Sequence, residues 1–321
     1  MHRALARART PLIPWALGLS ALLVSSEAHA FCRTRTCEFD KDGPCPVDPV
    51  TGCSTLGAFV YWGKSCLSYA VQRDGSAKRG ISAEQVSSLL EQGFDTWSDV
   101  ACSGGGSPEL AAASQGLIAC DEVEYNCMAG DANSNLVMFR DEFTDDPRGL
   151  GLRLGVIAVT TIIANLKTGE ILDADIELNS RDESFTLTDS TTPGARNLHG
   201  VINHELGHLL GLSHTQERGA LMRVLYEGTN EPGPDDTAGI CQALDQSGGD
   251  PACVSEKLPS DSVCLGHDVS CTRVETTTPD PGGCACRQAR AQPERFGLWA
   301  LASGLLLLAR GRRSRSSQTV L

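Results

Sequence analysis

His204-Glu205-Leu206-Gly207-His208-Leu209-Leu210-Gly211-Leu212-Ser213-His214 is the stretch on which the reading of this chain turns. His204 and His208 stand four residues apart, so a helix places both on one face, one turn apart. Two imidazoles so spaced can grip one metal ion. Glu205 is rotated about 100° around the helix from His204, where it can reach a water on the metal without being a ligand. A third ligand must then turn back toward the first two, and Gly211 supplies the stop, because a left-handed residue there costs glycine nothing. His214 completes three neutral nitrogen donors and leaves a fourth position for water or substrate. Zinc suits three imidazoles and a water best. His204, His208 and His214 are therefore the expected Zn2+ ligands and Glu205 the expected general base. Two blander readings stand beside this one: a buried helix whose histidines are merely packed, and a zinc site that only stabilises. Glu205 weighs against the second, since a purely structural site has no use for that carboxylate.

Around the motif the chain alternates strands and helices. Cys66-Leu67-Ser68-Tyr69-Ala70-Val71 alternates as a strand does. Ser82 is placed to cap a helix in which Val86, Leu89, Leu90, Phe94 and Trp97 recur at helical spacing. Leu136-Val137-Met138-Phe139 is a short strand. Residues 155–161 and 171–178 are strands expected to pair as a hairpin across the turn Lys167-Thr168-Gly169-Glu170. A helix is expected over about 197–210 and another after Asp235-Asp236. The sum is an α+β domain over about 58–250.

At this point a resemblance carries further than pattern. The motif with its glycine and third histidine resembles the metzincin clan of zinc endopeptidases, and within the clan it is most similar to the matrixins. Gly219-Ala220-Leu221-Met222 stands where matrixins have the Met-turn, a methionine-bearing loop beneath the zinc. Tyr226 stands where a matrixin has a tyrosine, a candidate wall of the substrate pocket. The stretch 235–244 resembles the start of the family's last helix. The resemblance implies a twisted five-stranded mixed sheet with three helices, a substrate cleft along an edge strand, and cleavage inside polypeptides, so that proteins or peptides are the expected partners. Arg223-Val224 replaces the usual Tyr-Pro, so substrate preference does not transfer. Calcium, common in the family, finds no convincing ligands here: Asp131-Ala132-Asn133-Ser134-Asn135 with Glu142 has Leu136 where a calcium loop needs glycine.

The ends bear on location. Arg3, Arg7 and Arg9, the apolar stretch 11–24 and Ala28-His29-Ala30 form an expected signal peptide, residues 1–30, with the mature chain starting at Phe31. Of the 14 cysteines, 12 lie between Cys32 and Cys271, and no pair has C-x-x-C spacing, so disulfides rather than structural zinc are expected, with the pairing open. Residues 31–57 form a Cys-rich leading segment with little material for a core. Cys45 sits between two prolines, faintly like a latency peptide, though a disulfide is the preferred reading. Residues 251–283 read as a polar stalk. Residues 284–321 combine Cys284-Ala285-Cys286, a fourteen-residue apolar run at 296–309 and an arginine cluster. That order resembles the C-terminal sorting signals of myxobacterial exported proteins. A plain membrane anchor is the alternative, although the run is short of the roughly 20 residues that span a bilayer. Either reading makes the membrane a partner through the tail and puts the body outside the cytoplasm, at the cell surface, in the outer membrane or free.

Between Phe31 and Cys286 there are 38 acidic and 17 basic side chains. Phosphate binding needs clustered Lys and Arg, so nucleic acid is excluded as a partner. The expected function is therefore exported peptide-bond hydrolysis. The reading it competes with is a surface-displayed binding or adhesion protein that keeps zinc for stability. Oligomeric state is left open.

Overall fold

The computed structural model describes residues 30–37, 45–64, 66–126, 133–142, 156–188, 192–244, 253, 257–264 and 286–290. Residues 1–29 of the expected signal peptide, Asp131 and Ala132 of the weak calcium loop, Cys127, His267, Cys271 and the apolar run at 296–309 lie outside these residues.

Five strands make the body of one twisted sheet. They are β3 (Cys66–Gln72), β4 (Ala111–Ile118), β5 (Asn135–Phe139), β6 (Ala158–Asn165) and β7 (Glu170–Leu178). Their order is β6-β7-β5-β3-β4. The β7–β5, β5–β3 and β3–β4 pairs are parallel, and β6 runs antiparallel to β7 as the hairpin pattern requires. Short β2 (Tyr61–Trp62) adds parallel to the start of β7. At the outer edge of β6 the backbone of β11 (Cys286–Arg290) pairs antiparallel, Cys286 opposite Asn165 and Arg290 opposite Thr161. Elsewhere β1 (Cys32–Arg33) pairs with β10 (Leu212–Ser213), and β8 (Ser184–Thr186) with β9 (Ala195–Asn197).

The helices are α1 (Ala83–Ser98), α2 (Leu198–Leu209) and α3 (Pro234–Leu244). Helix α1 starts in a full capping box, with the Ser82 hydroxyl accepting from the Gln85 amide and Gln85 reaching back to the Ser82 amide. Its buried stripe, Val86, Leu89, Leu90, Phe94 and Trp97, packs with Val201, Ile202 and Leu206 of α2 and with sheet residues such as Ile162 and Ile176 in one core. Trp97 is fully enclosed, and its indole N–H donates to the Asn203 carbonyl at 2.9 Å. Replacing it with alanine is the kind of core truncation that costs about 3–5 kcal/mol. Gly93 permits the approach of the two helices, because a Cβ there would lie 2.6 Å from Asn203 and Leu206.

The opposite sheet face has a smaller core of Ala70, Ile118, Cys120, Val123, Leu136 and Met138, covered by Leu258 and Cys264. Among the described residues five disulfides staple the fold: Cys32–Cys53, Cys37–Cys45, Cys66–Cys253, Cys102–Cys241 and Cys120–Cys264. Cys45 is thus bonded rather than a free thiol. Two of the bridges tie 253–264 to the body, and Leu258 N–H donates to the Gln115 carbonyl, so the first part of the stretch read as a stalk lies along β4. Among the described residues no helix is long and apolar enough to cross a membrane.

Candidate metal centre and cleft

Asn197 caps α2 by accepting from the His199 amide, and its own N–H donates to the Tyr226 hydroxyl at 3.0 Å. One helix thereby delivers His204, Glu205 and His208 into the interior, all nearly inaccessible to solvent. The helix stops after Leu209, Gly211 adopts φ +96°, and the chain reverses into β10 so that half-buried His214 returns to the other two. His214 Nε2 lies 3.2 Å from the Nε2 atoms of both His204 and His208.

Two backbone carbonyls decide what those nitrogens can do. His204 Nδ1 lies 2.7 Å from the Leu221 carbonyl, and His208 Nδ1 lies 2.9 Å from the Leu212 carbonyl. A carbonyl accepts only, so each Nδ1 carries the proton and each Nε2 presents a lone pair. Two bare acceptors thus aim at one shared point beside a third imidazole. Burial pushes the pKa of His204 down to about 3 and that of His208 to about 4. Burial and the two neighbouring rings also hold His214 well below its ordinary value. Three neutral imidazoles converging through lone pairs fit a zinc ion, and their orientation by carbonyls is the usual outer support of such a site.

Glu205 sits on the same turn. Burial raises its carboxyl to about 7 while the Thr160 hydroxyl, donating to Oε2 at 2.5 Å, opposes the rise. Thr160 comes from β6, the antiparallel strand, 45 residues away in sequence. Pattern reading passed it over because an isolated threonine in a strand carries no signal.

Met222 is buried against α2, 2 % exposed. A Cβ on Gly207 would meet its sulfur at 2.2 Å and Trp97 at 2.9 Å, so the glycine inside the histidine motif is what lets the methionine loop close against α2. The loop is held by Asp236: its carboxylate accepts from the amides of Leu221 at 2.6 Å, Met222 at 3.0 Å and Gly233 at 2.8 Å. Asp236 therefore fixes Leu221, whose carbonyl orients His204. Its role was invisible in sequence, where Asp235-Asp236 registered only as a helix start.

Next to His204 a narrow pocket opens between α2 and the methionine loop, lined by Gly200, His204, Leu221, Arg223, Tyr226 and Glu227. Its free volume is about 10 Å³, room for roughly one water. Arg223 pairs with Glu227 across its mouth, and Arg196 lies over the Tyr226 ring at 5.4 Å. Tyr226 thus both lines the pocket and anchors the start of α2.

A sequence model of the matrixin family matches residues 61–244, a span that holds the sheet, the three helices, the histidines and the methionine loop. The chain belongs to the matrixin family. Matrixins are zinc-dependent endopeptidases, which agrees with the donor set above. The chain is also similar to matrix metalloproteinase-18 of Xenopus laevis, 26 % identical over 196 residues, covering 61 % of this chain and 35 % of that protein. It spans about a third of that relative's length. The leading segment and its disulfides, and the disulfide-tied stretch after α3, lie outside the matched span.

Proposed function

We propose that this chain is an exported zinc-dependent endopeptidase in which His204, His208 and His214 hold the metal and Glu205 handles the proton. The observation that carries the reading is the convergence of three imidazole nitrogens, two with tautomers set by carbonyls, beside a buried carboxylate that a hydroxyl orients.

Zinc, when bound, supplies Lewis acidity and brings the pKa of a bound water toward 7. The protein's own groups do the rest. Glu205 accepts the proton of the attacking water and returns it to the departing amine, the two halves of general acid–base catalysis. Thr160 holds Oε2 of Glu205, leaving the carboxylate in one orientation while it exchanges that proton. Met222 and the Asp236-held loop keep the His204 side of the centre rigid. The pocket walled by Tyr226 and Arg223 takes the residue after the scissile bond.

Export rests on the leader pattern in residues 1–30 and on five disulfides, which persist outside the reducing cytoplasm. Surface attachment through residues 284–321 remains part of the proposal as read from sequence. A quenched peptide library tests the activity: release should stop on chelation and return on adding zinc. A zinc-loaded, folded chain inert to every peptide would favour the binding or adhesion protein instead.

A further inference from the structure

We infer that residues 31–36, outside the span matching the family, are part of the metal centre: Thr34 is a positioning residue for His208 and His214, and the Cys32–Cys53 disulfide anchors the ladder that carries it. The inference rests on the zinc reading proposed above.

The loop beyond the end of α2 must aim the third histidine, and its buried carbonyls need partners from elsewhere in the chain. Thr34 takes two of them. Its amide donates to the Gly211 carbonyl at 2.9 Å, and its hydroxyl donates to the Leu212 carbonyl, also at 2.9 Å. The Leu212 carbonyl is the same atom that accepts from His208 Nδ1 at 2.9 Å. One oxygen is thus shared between a threonine of the leading segment and a candidate zinc ligand.

The rest of the ladder extends this grip. Cys32 stands opposite Ser213 and Arg33 opposite Leu212 in β1–β10, so the residue before His214 is paired in a sheet. The segment is itself held from behind, by the Val60 amide donating to the Thr34 carbonyl and by Cys32–Cys53. Cys32, Arg33 and Thr34 are all buried, although the composition of 31–57 promised no core. Residues 31–36 therefore pair with the stretch just before His214 and share an acceptor with His208. This does for the His208–His214 side what Asp236 does for His204.

The test measures zinc release from the zinc-loaded full chain to a chromogenic chelator, alongside the Tm of the metal-free form. Outer partners of metal ligands typically carry about 10–100-fold in metal affinity. Thr34→Val keeps the shape and the amide bond but loses the hydroxyl, and should release zinc roughly tenfold faster. Thr34→Ser restores the hydroxyl and should return to the wild-type rate. Cys32→Ser/Cys53→Ser alters no core aliphatic and frees the ladder's end, so it too should speed release, and it answers the question if Thr34→Val does not fold. Wild-type release rates in Thr34→Val or in the double variant would overturn the clamp. So would a lowered metal-free Tm with unchanged release, the mark of a merely structural residue. A wild-type chain that takes up no zinc would overturn the metal reading itself and the clamp with it.

Discussion

The Thr160 hydroxyl donates to Oε2 of Glu205 at 2.5 Å, joining the antiparallel strand β6 to α2 at the carboxylate proposed to move a proton. A hydrogen bond to a charged group is worth about 1.5–3 kcal/mol, and about 1.4 kcal/mol is tenfold in rate. Thr160→Val should therefore lower kcat by about tenfold or more while zinc content and KM change little. Steady-state kinetics with metal analysis checks this. Unchanged kcat would mean that Thr160 only packs.

Asp173 and Asp175 share the face of β7 turned away from the helices, and both are buried. Burial first, then the neighbouring carboxylates of Asp175 and Glu124, raises Asp173 well above its ordinary 3.8. Oδ2 of Asp173 has no hydrogen-bond partner. For an acid whose folded pKa is raised, the sign is fixed: relative stability is intact below the unfolded pKa of 3.8 and is lost as pH rises through the raised value. Asp173→Asn removes that loss. It should stabilise the fold at pH 7–8 by about 1–2 kcal/mol, roughly 2–8 °C in Tm, with the gain fading toward pH 4. Thermal melts across pH measure it, and a Tm that falls at pH 8 would show the carboxylate to be needed.

Arg223 and Glu227 close the mouth of the pocket beside His204. Arg223→Ala should widen the pocket and shift the preference for the residue after the cut toward larger apolar side chains, seen as altered cleavage sites in a peptide library. An identical site profile would place the specificity elsewhere.

What the sequence made legible was local. His204, Glu205 and His208 fall on one helix face by spacing alone, and Gly211 with His214 follows within six residues. The hairpin of β6 and β7 and the amphipathic stripe of α1 were readable for the same reason, since both periodicities are short. What it hid depends on distant pairing. Thr160 meets Glu205 across 45 residues, and Cys66 meets Cys253 across 187. The leading segment read as core-poor because its apolar residues are few. Cys32 and Arg33 within it are nonetheless buried where their backbone pairs with β10, which composition does not encode. Asp236 looked like a helix start because its true partners, the amides of Leu221, Met222 and Gly233, are backbone groups that every residue carries.

The central claim is that Glu205 moves the proton at a zinc held by His204, His208 and His214. The most direct measurement pairs zinc stoichiometry with peptide cleavage in wild type and Glu205→Gln. The prediction is one zinc in each, with cleavage by the variant lower by about 10²–10⁴-fold, the range for losing a general acid–base group. Full cleavage by a zinc-loaded Glu205→Gln chain would contradict it.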